Sequence, residues 1–180
     1  MQLVIWIGSA AMTDAAAGAR VVLAAQGSAN VSTGLPVLDH LVGELAEAGR
    51  FRLSLEVAPG GADEAVGAAG AALGTAFAEQ IATRGWAIAP ADEALALAAL
   101  ERDDEPRLIT NVDFSDQRVG GLGTDVASRF LRELAVAARL NLHVRLVEGD
   151  DPQHVLAAMF KAVGAALGQA CRPASDRRDD

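Results

Sequence analysis

The side chains with the greatest potential for chemistry are the three histidines of the chain, His40, His143 and His154. Imidazole and carboxylate groups are common protein ligands of divalent cations, and carboxylates suit harder cations such as Mg²⁺ or Ca²⁺. The adjacent acids Asp63 and Glu64 supply such carboxylates. These five residues are therefore the candidate metal ligands, and an altered divalent-metal site is one hypothesis for them.

Each candidate also has a purely structural interpretation. His40 follows Asp39 at the start of a predicted helix, where a capping aspartate beside a hydrogen-bonded histidine is typical. His154 opens another predicted helix, which favours a neutral, hydrogen-bonded imidazole. His143 lies in a predicted strand, where a metal-facing and a solvent-facing orientation both stay open. The two adjacent acids are ordinary in the first turn of a helix.

The composition limits the possible partners and locations. The formal net charge of -9 and the pI of about 4.7 disfavour nucleic acid, whose phosphates an acidic chain repels. The single cysteine, Cys171, excludes an intrachain disulfide and fits a reducing compartment. We expect no membrane span, which needs about 18 apolar residues without charges. The apolar residues 3–7 predict a first strand and not an export signal.

An internal repeat organises the chain. Residues 42–60 align with residues 131–149 at a shift of 89, with seven identical positions. The order of helix, strand, loop and helix is the same in both halves, which predicts a duplication. The predicted units are a first half-repeat at residues 1–90, a second at 91–174 and a disordered tail at 175–180.

Hydrophobic periodicity identifies the elements of each half. Apolar residues recur at helical spacing over residues 38–48 and alternate with polar residues over residues 51–57, the pattern of a half-buried strand. Two such copies predict an α/β fold, an α+β sandwich in which mixed β-sheets enclose a central helix layer. The other predicted elements are helices at 63–83, 125–138 and 153–171, a short helix beginning at 90–93, and strands at 19–25, 107–114 and 140–147.

Four segments carry a resemblance to a known family: residues 33–41 (TGLPVLDHL), 90–96 (PADEALA), 142–146 (LHVRL) and 154–162 (HVLAAMFKA). Their order and spacing resemble those of the imidazoleglycerol-phosphate dehydratase family over residues 20–172. The resemblance implies a ribosomal-protein-S5-domain-2-like fold and a carbon–oxygen lyase (hydro-lyase) activity in histidine biosynthesis. It further implies manganese as cofactor, homo-oligomers built from trimers, and a cytoplasmic location.

The resemblance assigns most metal ligands to two His-His-x-x-Glu motifs, which here read DEAVG at residues 63–67 and QHVLA at residues 153–157. His154 is the one motif histidine present, and both glutamates are replaced. His40 and His143 are retained outside the motifs. Even a change in the groups that merely orient metal ligands costs about 10–100-fold in affinity or activity. The sequence therefore predicts a degenerate pseudoenzyme that is not an efficient metal-dependent dehydratase.

The resemblance also implies a phosphate-binding role for Arg84 and Lys161, which lie near or on positions that the family uses for the substrate phosphate. Lys161, on an alanine-rich helix, also fits a side chain that simply reaches solvent. Residues 103–105 (DDE) replace a Ser-Gly-Arg turn of the family, which reverses the local charge. The remaining residues that match the family are Asp39, Asp92 and Glu93.

Two alternatives to a degenerate family member stay open. The first is an active lyase that dehydrates imidazole glycerol phosphate, or a related phosphorylated substrate, with an altered metal site. The second is a non-catalytic subunit that co-assembles with a complete paralogue, since active sites in the family lie between subunits. Because the family's higher assemblies are linked by metal, the loss of ligands predicts a smaller homo-oligomer here, a trimer.

Overall fold

The first half of the protein forms a three-stranded sheet with two helices. The computed structural model describes residues 16–113, 118–119 and 122–172, so the strand predicted at residues 3–7 and the tail at 175–180 lie outside the described residues. The sheet has the order β1-β3-β2, with β1 antiparallel and β2 parallel to β3. Its elements are β1 (Ala17–Leu23), β2 (Ser28–Ser32), α1 (Pro36–Gly49), β3 (Phe51–Val57) and α2 (Ala62–Ala78).

The second half repeats this arrangement, with one more strand in its sheet and a separate two-stranded pair. Its elements are β4 (Gly85–Ala91), β5 (Ala94–Arg102), β6 (Arg107–Thr110), β7 (Arg118–Val119), β8 (Leu122–Gly123), α3 (Thr124–Ala137), β9 (Leu140–Glu148) and α4 (Pro152–Cys171). The larger sheet has the order β4-β5-β9-β6, with β5 antiparallel and β6 parallel to β9, while β7 pairs with β8. The predicted duplicated α/β sandwich is confirmed. A division of the chain at residue 90 stays a prediction, since β4 runs across it.

In the described part of the chain, the helices α1 to α4 lie between the three-stranded and the four-stranded sheet. α1 and α2 pack on the first sheet, and α3 and α4 pack on the larger sheet. The two pairs of helices meet where α2 packs on α3 and α1 packs on α4. On β3, Phe51, Leu53 and Leu55 face these helices and are buried. Gly164 of α4 lies so close to the carbonyl oxygen of Leu45 that a Cβ atom would overlap it. Small residues therefore permit the close approach of α1 and α4.

The apolar composition of α4 reflects its central position. Its length and hydropathy would allow it to cross a bilayer, but 72% of the apolar window is buried inside the protein. One side of α4 packs on α1 and the other on β4 and β5. These contacts make α4 the core helix of the second half.

The segment that follows α2 differs from the prediction. No helix begins at Pro90; β4 ends at Ala91, and a two-residue turn of Asp92 and Glu93 leads into β5. Asp92 has a φ of 49°, in the left-handed region that aspartate tolerates better than most residues. The alanine-rich sequence favours a helix locally, but β5 pairs with β4 on one side and β9 on the other. These long-range pairings decide the structure, and β2, β4 and β5 were not predicted.

α2 ends at Ala78, short of the predicted end at residue 83. The guanidinium of Arg102 donates hydrogen bonds to the carbonyls of Ala78 and Ile81. The side chain of Gln80 donates to the carbonyl of Val21 in β1. The last carbonyls of a helix lack partners within it, so the bonds from Arg102 stabilise the chain's turn away from α2.

Candidate functional site

A cavity of about 390 Å³ opens between the N-terminal halves of α1 and α4, beside the β4–β5 turn. We call this cavity the α1–α4 pocket. Part of its wall is apolar and comes from Val37, Leu41 and Leu156. Its ionisable side chains are His40, Glu44, Asp92, His154 and Lys161. The fold thus brings together four of the residues singled out from the sequence and adds Glu44, which was not among them.

The loop before α1 is held by a hydrogen-bonded pair, Thr33 and Asp39. The Asp39 carboxylate accepts hydrogen bonds from the backbone N–H of Thr33 at 3.0 Å and from its hydroxyl at 2.5 Å. Gly34 takes a φ of +78° between them, which glycine adopts without strain. The N-cap of α1 is Leu35, without a side-chain hydrogen bond, so the predicted helix-capping role of Asp39 is wrong. Asp39 instead ties the loop to the first turn and so positions His40.

A carboxylate stands between the two basic groups of α1 and α4. One oxygen of Glu44 lies 3.2 Å from the ammonium of Lys161, and the other lies 3.7 Å from Nε2 of His40. His40 and Glu44 are one turn apart on α1, where residues four apart face each other. The Glu44 side chain is 20% exposed, less than either partner. Lys161 therefore does not simply extend into solvent.

His154 joins the start of α4 to the β4–β5 turn. Its Nδ1 donates to the Glu93 carboxylate at 2.5 Å, and Nε2 lies 3.4 Å from a carboxylate oxygen of Asp92. The other oxygen of Glu93 accepts a hydrogen bond from the backbone N–H of Asp151 at 3.1 Å. Asp151 is the N-cap of α4, and its side chain accepts from the N–H of Gln153. The turn and the helix are thus joined through the two side chains that the sequence singled out, Glu93 and His154.

These contacts favour the charged forms of both partners. The hydrogen bond to Glu93 raises the pKa of His154 above its usual value, with further support from the charges of Asp92 and Asp151. The pKa of Glu93 is lowered, first by a hydrogen bond from its own backbone N–H and then by His154. The neutral imidazole expected from the sequence stays a prediction, and the direction of the pKa shift opposes it. The acidic turn attracts a proton to the imidazole.

A second cavity, of about 420 Å³, is lined by two further candidates, His143 and Arg84. It lies on the outer face of the larger sheet, because Leu142 and Val144 on either side of His143 point into the helix layer and are fully buried. Its other polar wall residues include Glu101 and Asn141, and Trp86 adds an aromatic surface. The chain therefore separates His143 from His154, which lies on a helix at the inner face of the same sheet.

The acids Asp63 and Glu64 lie in neither cavity. Both are exposed in the first turn of α2. A carboxylate oxygen of Asp63 is 3.8 Å from the guanidinium of Arg129 in α3. Among the described residues, no group of three or more histidine, cysteine, aspartate or glutamate side chains is arranged to hold a metal ion. A single chain therefore does not assemble the five candidate ligands into one site.

In the acidic turn at residues 103–105, the carboxylates of Asp103 and Asp104 have partners within the chain. Asp103 accepts a hydrogen bond from the backbone N–H of Glu105 at 2.9 Å, and Arg139 pairs with Asp104 at 2.8 Å. Arg107 lies 3.8 Å from Asp103. These residues stabilise a turn beside β6, apart from the two cavities that contain the candidate site residues.

Glu44 is the residue of the pocket that sequence reasoning missed. Its spacing of four residues from His40 on a predicted helix was a usable signal, because such pairs lie on one helical face. Its contact with Lys161 had no local signal, since the two residues lie on different helices that meet only in the folded chain.

The fold and the pocket define a class of protein: a duplicated α/β sandwich with a pocket lined by histidine, lysine and carboxylate side chains. The family model described as "Imidazoleglycerol-phosphate dehydratase" matches residues 33–167. The chain therefore belongs to the imidazoleglycerol-phosphate dehydratase family, as its motifs predicted.

Individual relatives agree with this assignment. The chain is 34% identical over 156 residues to the imidazoleglycerol-phosphate dehydratase of Pelobacter propionicus, covering 82% of this chain and 80% of the relative. The enzyme of that name from Desulfitobacterium hafniense is 36% identical over 157 residues, with coverage of 81% and 79%. The crystal structure of imidazoleglycerol-phosphate dehydratase from Staphylococcus aureus superposes with a TM-score of 0.77 at 26% identity, covering 86% of this chain and 93% of that one.

Proposed function

We propose that this chain is a degenerate member of the family, which keeps the fold and a ligand pocket but is not an efficient metal-dependent dehydratase of histidine biosynthesis. One observation carries the proposal. The positions of the two His-His-x-x-Glu motifs hold a single imidazole and neither motif glutamate, with Gly67 and Ala157 where the glutamates would stand. A cytoplasmic location is part of the same proposal, in keeping with the reducing compartment that one unpaired cysteine suits.

The donor groups that remain do not fit manganese. A histidine binds a metal as the neutral imidazole, so metal binding must compete with protonation. His154 is hydrogen-bonded to Glu93 in an arrangement that favours its protonated form. Asp63 lies near Arg129, which competes for its carboxylate. For these reasons we assign no catalytic step to a bound metal ion.

What the pocket residues can do is bind and orient a small molecule and exchange a proton with it. The imidazole of His154, whose pKa the hydrogen bond to Glu93 raises, can carry a proton and donate it. Glu93 and Asp92 fix its ring from the β4–β5 turn. The apolar wall supplied by Val37 and Leu156 can cover the body of the ligand.

The test is metal content, measured by elemental analysis after incubation with excess manganese and removal of the unbound ion. We expect no stoichiometric manganese and no dehydration of imidazole glycerol phosphate. The matched comparison restores both motifs with Asp63→His, Glu64→His, Gly67→Glu, Gln153→His and Ala157→Glu. We expect this variant to gain manganese, because it regains the imidazoles and carboxylates at helical spacing.

Either of two results would contradict the proposal. Near-stoichiometric manganese in the natural sequence together with dehydratase turnover would establish a working site from the present residues. Turnover that depends on Mg²⁺ and is lost in Asp63→Asn would instead establish the altered metal site.

We also propose that the chain is a homo-oligomer, with a trimer as the favoured state. The outer face of the larger sheet supports this, because Trp86 and Ile88 on β4 are 61% and 53% exposed. Ile88 pairs with Leu97 of β5, so the apolar surface continues across two strands. The first sheet instead presents Arg20 and other charged side chains outward. Exposed apolar patches of this kind are typical of protein interfaces.

A further inference from the structure

We propose that Glu44 is a built-in anion that holds the Lys161 ammonium and excludes phosphate and similar anions from the α1–α4 pocket. The inference rests on the proposed function in one respect, that this pocket is the ligand site. It adds a residue that determines which ligands the pocket accepts.

The geometry of Glu44 is that of a bound anionic ligand. Its two carboxylate oxygens point to different partners, one 3.2 Å from Lys161 and the other 3.7 Å from His40. All three side chains line the pocket. An incoming phosphate oxygen must therefore displace this carboxylate to bind the same ammonium. The carboxylate is part of the chain and loses no translational entropy on binding Lys161, whereas a free phosphate does.

The burial of Glu44 strengthens this competition. Its side chain is 20% exposed, while Lys161 is 34% exposed and His40 is 63% exposed. Charges that are partly removed from water interact more strongly than charges at an open surface. The carboxylate thus occupies the inner position of the cluster, from which solvent does not readily displace it.

The remaining charges of the pocket also disfavour the binding of an anion. His154, the other basic group that lines it, is paired with Glu93 and lies 3.4 Å from Asp92. Each basic side chain of the pocket wall therefore has a carboxylate beside it within the described part of the chain, with Glu44 shared by His40 and Lys161. Asp92 adds an exposed negative charge at the rim. A phosphate dianion would meet basic groups that are already in contact with carboxylates, and these acids would repel it.

The experiment titrates inorganic phosphate into the metal-free protein, in chelator, and follows binding by calorimetry and by backbone amide shifts near residue 161. We expect no saturable binding by the natural sequence over the millimolar range. Glu44→Gln, which keeps the size and removes the charge, should bind phosphate at least about tenfold more tightly, since a charge-assisted contact to Lys161 becomes available. Glu44→Ala serves the same purpose should the glutamine variant not fold.

Two matched variants control this result. Glu47→Gln makes the same chemical change at an exposed position of the same helix, outside the pocket, and should leave phosphate binding as in the natural sequence. Adding Lys161→Met to Glu44→Gln should abolish the gain. Saturable phosphate binding by the natural sequence that Lys161→Met removes would overturn the inference. A folded Glu44→Gln protein with no gain in phosphate affinity would also overturn it.

The outcome is independent of the test of the proposed function. A chain that binds manganese and dehydrates its substrate, yet gains phosphate affinity on loss of Glu44, would refute the degenerate function alone. A chain that binds no manganese and has the same phosphate affinity with and without Glu44 would refute this inference alone.

Discussion

His154 and Glu93 lie 2.5 Å apart, Nδ1 to carboxylate oxygen, and connect the first turn of α4 with the hairpin between β4 and β5. The two residues are 61 positions apart in the chain. His154 lines the α1–α4 pocket, and its hydrogen bond to Glu93 raises the pKa of its imidazole.

We expect the pKa of His154, measured by NMR of the imidazole protons, to lie above its usual value, and to fall in Glu93→Gln because the principal hydrogen bond to a charged acceptor is lost. Asp92→Asn should lower it less, since Asp92 is farther from the ring. An unchanged His154 pKa in Glu93→Gln would contradict this account.

The same pair makes stability depend on pH. A raised histidine pKa stabilises the fold below about pH 6.5 and ceases to do so as the pH rises through the folded value. A lowered glutamate pKa stabilises it above about pH 4.5, and this stabilisation is lost as the pH falls through the folded value. The midpoint temperature of thermal unfolding should therefore differ most between the natural sequence and Glu93→Gln from about pH 4.5 to about pH 6.5. An equal difference in alkaline solution would contradict the assignment.

Asp39 should contribute more to stability than an ordinary aspartate of a first helical turn. Asp39→Ala leaves the N–H and hydroxyl of Thr33, a residue that is 5% exposed, without their acceptor. We expect a loss of about 1–3 kcal/mol in the free energy of unfolding, measured with urea. The control is Asp125→Ala at an exposed position in the first turn of α3, with an expected change within about 0.5 kcal/mol. Equal losses would show that the Thr33 contacts add nothing.

The close packing of α1 on α4 predicts opposite outcomes for two glycines. Gly164→Ala places a methyl group into the backbone of Leu45 and should cost about 1–3 kcal/mol or more, because backbone cannot move aside as a side chain can. Gly43→Ala on α1 meets no atom within 4 Å and should stabilise the helix by about 0.5–1 kcal/mol. Chemical denaturation measures both. A well-tolerated Gly164→Ala would disprove the described helix contact.

The outer face of the larger sheet is expected to be the homo-oligomer interface. Trp86→Glu should reduce the mass measured by light scattering, because it places a charge in an apolar contact. Val22→Glu makes a similar change at a 49% exposed position on the first sheet and should leave the mass unchanged. A monomeric natural protein that gains mass only with a complete paralogue would support the co-assembling subunit instead.

Much of the fold could be predicted because its signals are local. Apolar and polar residues alternate over residues 51–57, and apolar residues recur at helical spacing over residues 38–48. These patterns predict which face of each element is buried. The same holds for the matching pair in the second half, so the duplication and the two-sheet sandwich followed from the sequence. The family followed as well, since its motifs are contiguous segments.

The β4–β5 hairpin shows where local signals fail. Ala87, Ala89, Ala96 and Ala98 favour helix as isolated residues, yet all four lie in strands. The pairing of β5 with β9 connects residues that are far apart in the chain. No local pattern reports the free energy gained from such a contact, and tertiary pairing therefore outweighs propensity here.

The sequence by itself determined the family and the duplicated sandwich, because both follow from residue types at fixed spacing. The tertiary structure alone decided which charges meet. It placed Glu44 against Lys161, paired His154 with Glu93 and separated His143 from both. The strength and sign of an electrostatic interaction depend on distance and burial, and those quantities exist only once α1, α4 and the β4–β5 turn have packed together.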